Sequence, residues 1–168
     1  MDETGFWRAD RALYPPGKAA WIDEPALWAV ATYRFGRWAR TRSGPRGFVL
    51  RRVHRLLHLL MRVTVNIELP VTAQIGPGLR IYHQSGVVLG GDVVIGARCR
   101  MRQGVTVGVR ERDGRPPRLG DDVFLGAYAQ VIGDITVGDG AMVGSMSLVL
   151  ADVAPGAVVG GVPAKPLR

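Results

Sequence analysis

The stretch LGDDVFLGAYAQVIGDITVGDGAMVGSMSLV, residues 119–149, decides the fold. Leu119, Leu125, Val131, Val137, Val143 and Val149 fall six residues apart without a miss, and Gly120, Gly126, Gly138 and Gly144 directly follow four of them. Four residues after each aliphatic position stands a second inward candidate: Val123, Ala129, Ile135, Ala141, Ser147 and Val153. A helix repeats near 3.6 residues and a strand at two, so neither produces this spacing. One short strand plus a turn does, and three such units close a triangular coil of a parallel β-helix. The aliphatic side chain then points into a continuous core, the small residue fits near a corner, and the glycine is expected to permit the tight turn.

An earlier block keeps the rhythm through Leu89, Ile95, Met101 and Val107, with Val93, Cys99 and Val105 at the second position. Two irregularities interrupt it. Between Val107 and Leu119 the run Gly108 to Arg118 is polar, charged and proline-containing, so it is expected to leave the coil as a protruding loop. At IYHQSG, residues 81–86, the frame shifts by two: Ile75 and Ile81 belong to one phase, Leu89 and Ile95 to another. His83 sits at that shift, where its ring need not enter the core. A histidine at a local irregularity is a better functional candidate than one inside a regular ladder.

Before residue 66 the period is helical. Asp23 is the expected N-cap of a first helix that sets Trp28, Ala31, Phe35 and Trp38 on one face. Gly44 and Pro45 break it within residues 42–47. A second helix follows, in which Val53, Leu56, Leu57, Leu60 and Val63 form an apolar stripe among Arg51, Arg52, Arg55 and Arg62. Such a face packs on its own domain or a neighbouring subunit, and a basic amphipathic helix can also lie on an anionic membrane. His54 and His58 read as surface or packing residues. The chain therefore divides into a helical segment, 1–65, and a mainly β part, 66–168.

The composition is that of a globular protein, with 23 glycines that suit a turn-dense β fold. The net charge of +8 rests on arginine, since Lys18 and Lys165 are the only lysines. This balance raises nucleic acid, anionic membrane surfaces and polyanionic small molecules as partners. No aromatic-basic platform is recognisable, so nucleic-acid binding is not expected. With one cysteine and three histidines, neither a disulfide framework nor a structural metal is expected. Neither a secretory signal nor a spanning segment is visible, and the chain reads as cytoplasmic.

QIGPGLRIYHQSGVVLGGDVVIGARCRMRQGVTVG (residues 74–108), residues 119–150 and the ending GVPAK (161–165) resemble hexapeptide-repeat acyltransferases of the serine acetyltransferase type. The resemblance covers residues 66–168 closely and the preceding helices more loosely. It implies a left-handed parallel β-helix, a homotrimer, and acetyl-CoA bound in a groove between subunits. By the same resemblance His83 is the general base that takes the proton of the acceptor hydroxyl, and Glu68, fifteen residues earlier, is the carboxylate that orients it. That chemistry is coherent: an imidazole titrates near neutrality, and a carboxylate on its far nitrogen fixes the tautomer and stabilises the imidazolium. The resemblance further assigns the backbone at Gly126, Ala127, Gly144 and Ser145 to the pantetheine arm and Lys165 to the phosphates or adenine. Arg115 and Arg118 are candidates for acceptor or phosphate contacts.

The departures are informative. Where serine acetyltransferases carry an aspartate before the catalytic histidine and a second histidine in the loop, this chain has Tyr82 and Pro116. An aromatic ring before the histidine and a glutamate in the IELP position look more like the branch that O-acetylates sugars of exopolysaccharides and capsules. Tyr82 would then stack on a sugar ring. A lipid-linked acceptor would bring the enzyme, through its basic helix, to the inner face of the membrane. Three readings stay open: a sugar O-acetyltransferase, a shortened serine O-acetyltransferase, and a non-catalytic hexapeptide-repeat scaffold.

Overall fold

The computed structural model describes residues 3–18, 20–111 and 114–167; Arg112 and Asp113, within the expected loop, lie outside the described residues. Four helices lead: α1 (Glu3–Ala12), α2 (Ala20–Asp23), α3 (Pro25–Arg40) and α4 (Gly44–Thr64). Fifteen short strands follow in three sheets. The first holds β1 (Ile67–Glu68), β4 (Val87–Leu89), β7 (Thr106–Gly108), β10 (Gln130–Ile132) and β13 (Leu148–Val149). The second holds β2 (Gln74–Ile75), β5 (Val94–Ile95), β8 (Arg118–Leu119) and β11 (Thr136–Val137). The third holds β3 (Arg80–Ile81), β6 (Arg100–Met101), β9 (Phe124–Leu125), β12 (Met142–Val143), β14 (Val158–Gly160) and β15 (Lys165–Pro166). Each strand pairs in parallel with the strand one coil away, and only β15 turns back antiparallel on β14. This is the parallel β-helix of about five coils that the hexads require.

Every aliphatic residue of the ladder is buried, from Ile75 and Ile81 through Val149, and so are the small partners, including Cys99, Ala129 and Ser147. The glycines work differently from expectation. Gly120, Gly126, Gly138 and Gly144 do not carry the left-handed turn, which falls two residues later at Asp122, Tyr128, Gly140 and Met146. Gly120, Gly126 and Gly138 are required because coils approach closely there: a Cβ on Gly126 would lie 2.5 Å from the Ser145 nitrogen, and one on Gly138 2.5 Å from the Pro155 nitrogen, whereas one on Gly144 would make only ordinary contacts from 3.4 Å.

The helices cover the first coil. Ala29, Val30 and Tyr33 of α3 and Met61 of α4 join the same apolar core as the ladder. Asp10 and Arg34 bolt this layer down. The Asp10 carboxylate accepts from Arg34 Nε at 2.7 Å and from the amides of Gly78 and Leu79, each at 2.8 Å. The Arg34 guanidinium also donates to the carbonyls of Ile75 at 2.8 Å and Gly76 at 2.6 Å. Burial is the largest influence on the Asp10 carboxyl and pushes it above the usual carboxylate range, against the lowering by Arg34 and the two amides. Tyr33 Oη donates to the Ala73 carbonyl and accepts from the Ile75 amide.

Three helical expectations are corrected. Glu24, not Asp23, precedes α3, and Pro25 opens it without a side-chain cap; Asp23 instead closes α2. On α3 the deeply buried face is Ala26, Leu27, Val30 and Tyr33, while Ala31, Phe35 and Trp38 are half-covered and Trp28 is exposed. On α4 the apolar stripe does not pack within the chain: Val53, Leu56, Leu60 and Val63 are exposed, and the buried face is Gly47, His54 and Met61. Apolar periodicity identifies a stripe but not the side on which the partner lies.

Two stability outcomes follow. Gly138→Ala, which drives a Cβ into the next coil, should lose about 1–3 kcal/mol. Gly140→Asn, left-handed but open within 4 Å, should lose under about 1 kcal/mol. Urea unfolding of both variants checks the contrast, and equal losses would return the glycine to a turn role. Asp10→Ala, which strands the Arg34 charge, should cost about 3–5 kcal/mol and largely recover when Arg34→Met is added. A double-mutant cycle reads this directly, and a purely additive cycle would refute it.

Candidate functional site

The site is built on one corner of the prism, where the chain passes from the third sheet to the first. Between Met101 and Val107 a regular side of the prism takes six residues, but between Ile81 and Leu89 it takes eight. The turn after β3 therefore bulges. The Tyr82 amide still donates to the Met101 carbonyl at 3.0 Å, and the ladder resumes where Gly104 donates to the Ser85 carbonyl at 2.9 Å. His83 and Gln84 fall between these anchors and are exposed. His83 is thus presented outward by a side longer than the equivalent sides of the neighbouring coils.

The same corner carries the four positions assigned to the pantetheine arm. The Gly126 amide donates to Val143 and the Met146 amide to Ala127, each at 2.8 Å, so Gly126 and Ala127 lie one coil from Gly144 and Ser145. Gly144 in turn donates to Val159 at 2.8 Å, and Gly160 pairs with Lys165 across the antiparallel turn-back. Gly126, Gly144, Gly160 and Lys165 form one row. At the equivalent hexad positions of another corner, side chains take the backbone donors: Asp121 accepts from the Ala97 amide and Asp139 from the Asp121 amide, each at 2.8 Å. Among the described residues no such acceptor meets the amides of Ala127 and Ser145. The row therefore offers backbone donors with no acceptor among the described residues, a feature suited to an amide-bearing arm.

Other candidates are not brought together within one chain. Glu68 lies on the outer side of β1, paired in register with Val88, and its carboxylate meets Arg62 Nε at 3.3 Å. Among the described residues no hydrogen bond or ion pair joins it to His83. The loop leaves the prism at a different corner, between the first and second sheets. Its residues outside strands are 109–117, narrower than the 108–118 expected, because Gly108 ends β7 and Arg118 begins β8. Arg118 is thus an outward strand residue of the second sheet, and Arg115 in the loop meets exposed Asp134 at 3.6 Å.

Tyr82 is half-buried, and its ring faces Arg80, whose guanidinium carbon stands 5.2 Å from the ring centroid. Arg80 is itself clamped: 3.9 Å from the Tyr14 ring centroid and 2.8 Å from Glu24 Oε1. Tyr14, whose hydroxyl is pushed up to about 12 mainly by burial, accepts from the Ile81 amide at 3.3 Å. The helices thereby grip the segment immediately before His83. Sequence reasoning missed Arg80 and Gln103, which lies under the bulge with Oε1 buried and unpartnered. The one available signal was a basic residue in a strand, three before the histidine.

A scan of family models matches residues 116–151 to the bacterial transferase hexapeptide (six repeats). The serine acetyltransferase of Synechococcus elongatus is 33% identical over 143 residues, covering 84% of this chain and 56% of that protein. The soybean serine acetyltransferase apoenzyme superposes with a TM-score of 0.81 at 30% identity, covering 98% of this chain and 67% of the other. A serine acetyltransferase in complex with CoA gives 0.79 at 26% identity, covering 99% and 68%. The chain spans about half the length of the relatives it matches in sequence.

Cys99 offers no rival nucleophile. It is buried, donates to the Gly120 carbonyl at 3.2 Å, and burial raises its thiol to about 11. The native protein should therefore be inert to an aromatic disulfide reagent at pH 8 and release one equivalent of thiol only on unfolding. Fast titration of the folded protein would contradict this.

Proposed function

The chain belongs to the serine acetyltransferase family of hexapeptide-repeat acyltransferases, and on that footing we propose that it is an acetyl-CoA-dependent O-acetyltransferase using His83 as general base. The observation that carries the reading is the shared corner: the bulged coil bearing His83 and the row of glycines ending at Lys165 lie along one edge. The donor supplies an acetyl group activated as a thioester. The bare amides at Ala127 and Ser145, with Gly126 and Gly144 admitting close approach, hold its arm, and Lys165 supplies the countercharge to its phosphates.

His83 withdraws the proton of the acceptor hydroxyl as that oxygen bonds to the thioester carbon, and returns it to the departing sulfur. The acetyl group moves directly to oxygen, so no acyl-enzyme is formed. Backbone donors at the corner stabilise the negative charge that develops on the carbonyl oxygen. Glu68 turns from Arg62 to the imidazole in the working assembly, which we take to be a homotrimer. A neighbouring subunit then brings its loop, with Arg115, against the His83 corner. The separation of loop and histidine within one chain supports that arrangement.

For the acceptor, the relatives favour the hydroxyl of serine, since those matched are named serine acetyltransferases. One observation favours a second reading, a sugar hydroxyl: Tyr82, an aromatic ring braced by Arg80, stands immediately before His83 where that family has an acid. A lipid-linked sugar would also use the cationic surface of α4.

Thiol release from acetyl-CoA, measured with serine and with a panel of sugars, tests both. Release that requires an acceptor and falls by about 10²–10⁴-fold in His83→Ala supports the mechanism. Glu68→Gln should lower the rate less, and the identity of the accepted hydroxyl chooses between the readings. Acceptor-dependent release that survives His83→Ala would overturn the assignment of the base, and failure to bind acetyl-CoA would leave the scaffold reading.

A further inference from the structure

A second concave site lies away from the His83 corner, between the helices and the first coil. It is a cleft of about 320 Å³, within the ~300–1,000 Å³ span of small-molecule sites. Arg40 comes from α3, Arg51, His54, Arg55 and His58 from α4, and Thr72 from the turn after β1. Two helices thus place three guanidiniums and two imidazoles around one space with no carboxylate among the lining residues.

Several arginines elsewhere meet carboxylates, though not all do among the described residues. Arg34 meets Asp10 and Glu3, Arg37 meets Glu3, Arg62 meets Glu68, Arg80 meets Glu24, and Arg98 meets Asp121 and Asp122. Among the described residues no carboxylate pairs with Arg40, Arg51 or Arg55; Arg51 donates instead to the Arg42 carbonyl at 2.9 Å. His54 is nine-tenths buried, with Nε2 unpartnered and its ring lying on the Cα of Gly36, where a side chain would collide with it. His58 stacks on it, with centroids 5.8 Å apart. Both imidazoles are held below their ordinary range, first by burial; His58 and Arg40 add to this at His54, while at His58 Glu68 opposes it and Arg62 reinforces it. Crowded like charge around a concave space costs free energy unless an anion occupies it. Guanidiniums converging from two helices suit a multiply charged, tetrahedral oxyanion, because each planar fork can pair with two of its oxygens.

We propose that this cleft binds a phosphate group, carried by a phosphorylated metabolite or by a lipid headgroup. Arg40 and Arg55 supply the principal charge, and Thr72 and His58 supply hydrogen bonds. The exposed apolar stripe of α4, with Leu56 and Leu60, runs along the same helix, so both sources are sterically natural. None of the lining residues is assigned to the base or to the donor's arm, while the cationic surface of α4, which the second reading gives to a lipid-linked acceptor, is shared with this cleft.

The test is calorimetric titration of the full chain with inorganic pyrophosphate, beside flotation with phosphatidic-acid vesicles and with neutral phosphatidylcholine vesicles. The comparison is the double variant Arg40→Gln, Arg55→Gln, with Lys165→Gln as the control for phosphate binding at the row of glycines. Saturable one-to-one binding that weakens about tenfold or more in the double variant but not in the control supports the site and a soluble ligand. Flotation with phosphatidic acid but not phosphatidylcholine, lost in the same variant, supports the site and a lipid source. Thermal unfolding and circular dichroism establish that the variant is folded. Binding equal in the folded double variant and the native chain overturns the proposal, and so does absence of both saturable binding and flotation.

Discussion

Everything in this protein depends on a backbone ladder that runs from coil to coil rather than along the chain. Strand amides donate to the carbonyls of the adjacent coil, as Gly96 does to Leu119 and Gly120 to Val137. At some corners the coils approach more closely than a Cβ permits, as at Gly76, Gly96, Gly126 and Gly138, which is why glycine stands there after the aliphatic residue. The ladder has a further demand: a solenoid presents unpaired strand edges at its two ends. At the leading end the helices answer it, with Asp10 and Tyr14 accepting from first-coil amides and Arg34 capping first-coil carbonyls. At the trailing end the chain folds back as β15 and pairs with β14.

The site inherits its precision from that ladder. The row at Gly126, Gly144 and Lys165 is a consequence of register, since residues one coil apart are locked together by hydrogen bonds. The bulge at His83 departs from register over a few residues and returns to it at Gly86. In the proposed function, the base stands where the ladder is locally relaxed and the donor where it is strict.

The β part was legible because its period admits a single explanation, and the buried residues from Leu89 to Val149 are those the spacing names. The two breaks were legible for the same reason, as missing or shifted aliphatic positions. The helical part was less so. Residues 25–64 announce helices, but the exposed Val53, Leu56 and Val63 show that an apolar stripe does not reveal whether its partner belongs to the chain. The role of the glycines was misplaced by two residues, because sequence cannot distinguish a turn that needs positive φ from a corner that needs empty space. Arg80 was missed since its importance comes from Tyr14 and Glu24, distant in sequence and adjacent only after folding. Whether Glu68 serves His83 lies beyond a single chain altogether, because Arg62 competes for the same carboxylate.

The eight-residue side at His83 has a wider implication. A solenoid counts length separately in each coil, so residues added at one corner leave the registers above and below unaltered. The extension at residues 109–117 shows the same independence on another edge. An architecture of this kind separates inheritance of the scaffold from inheritance of specificity. Insertions and deletions, which would shift the register of most folds, can here change the length of one corner while the core stays untouched.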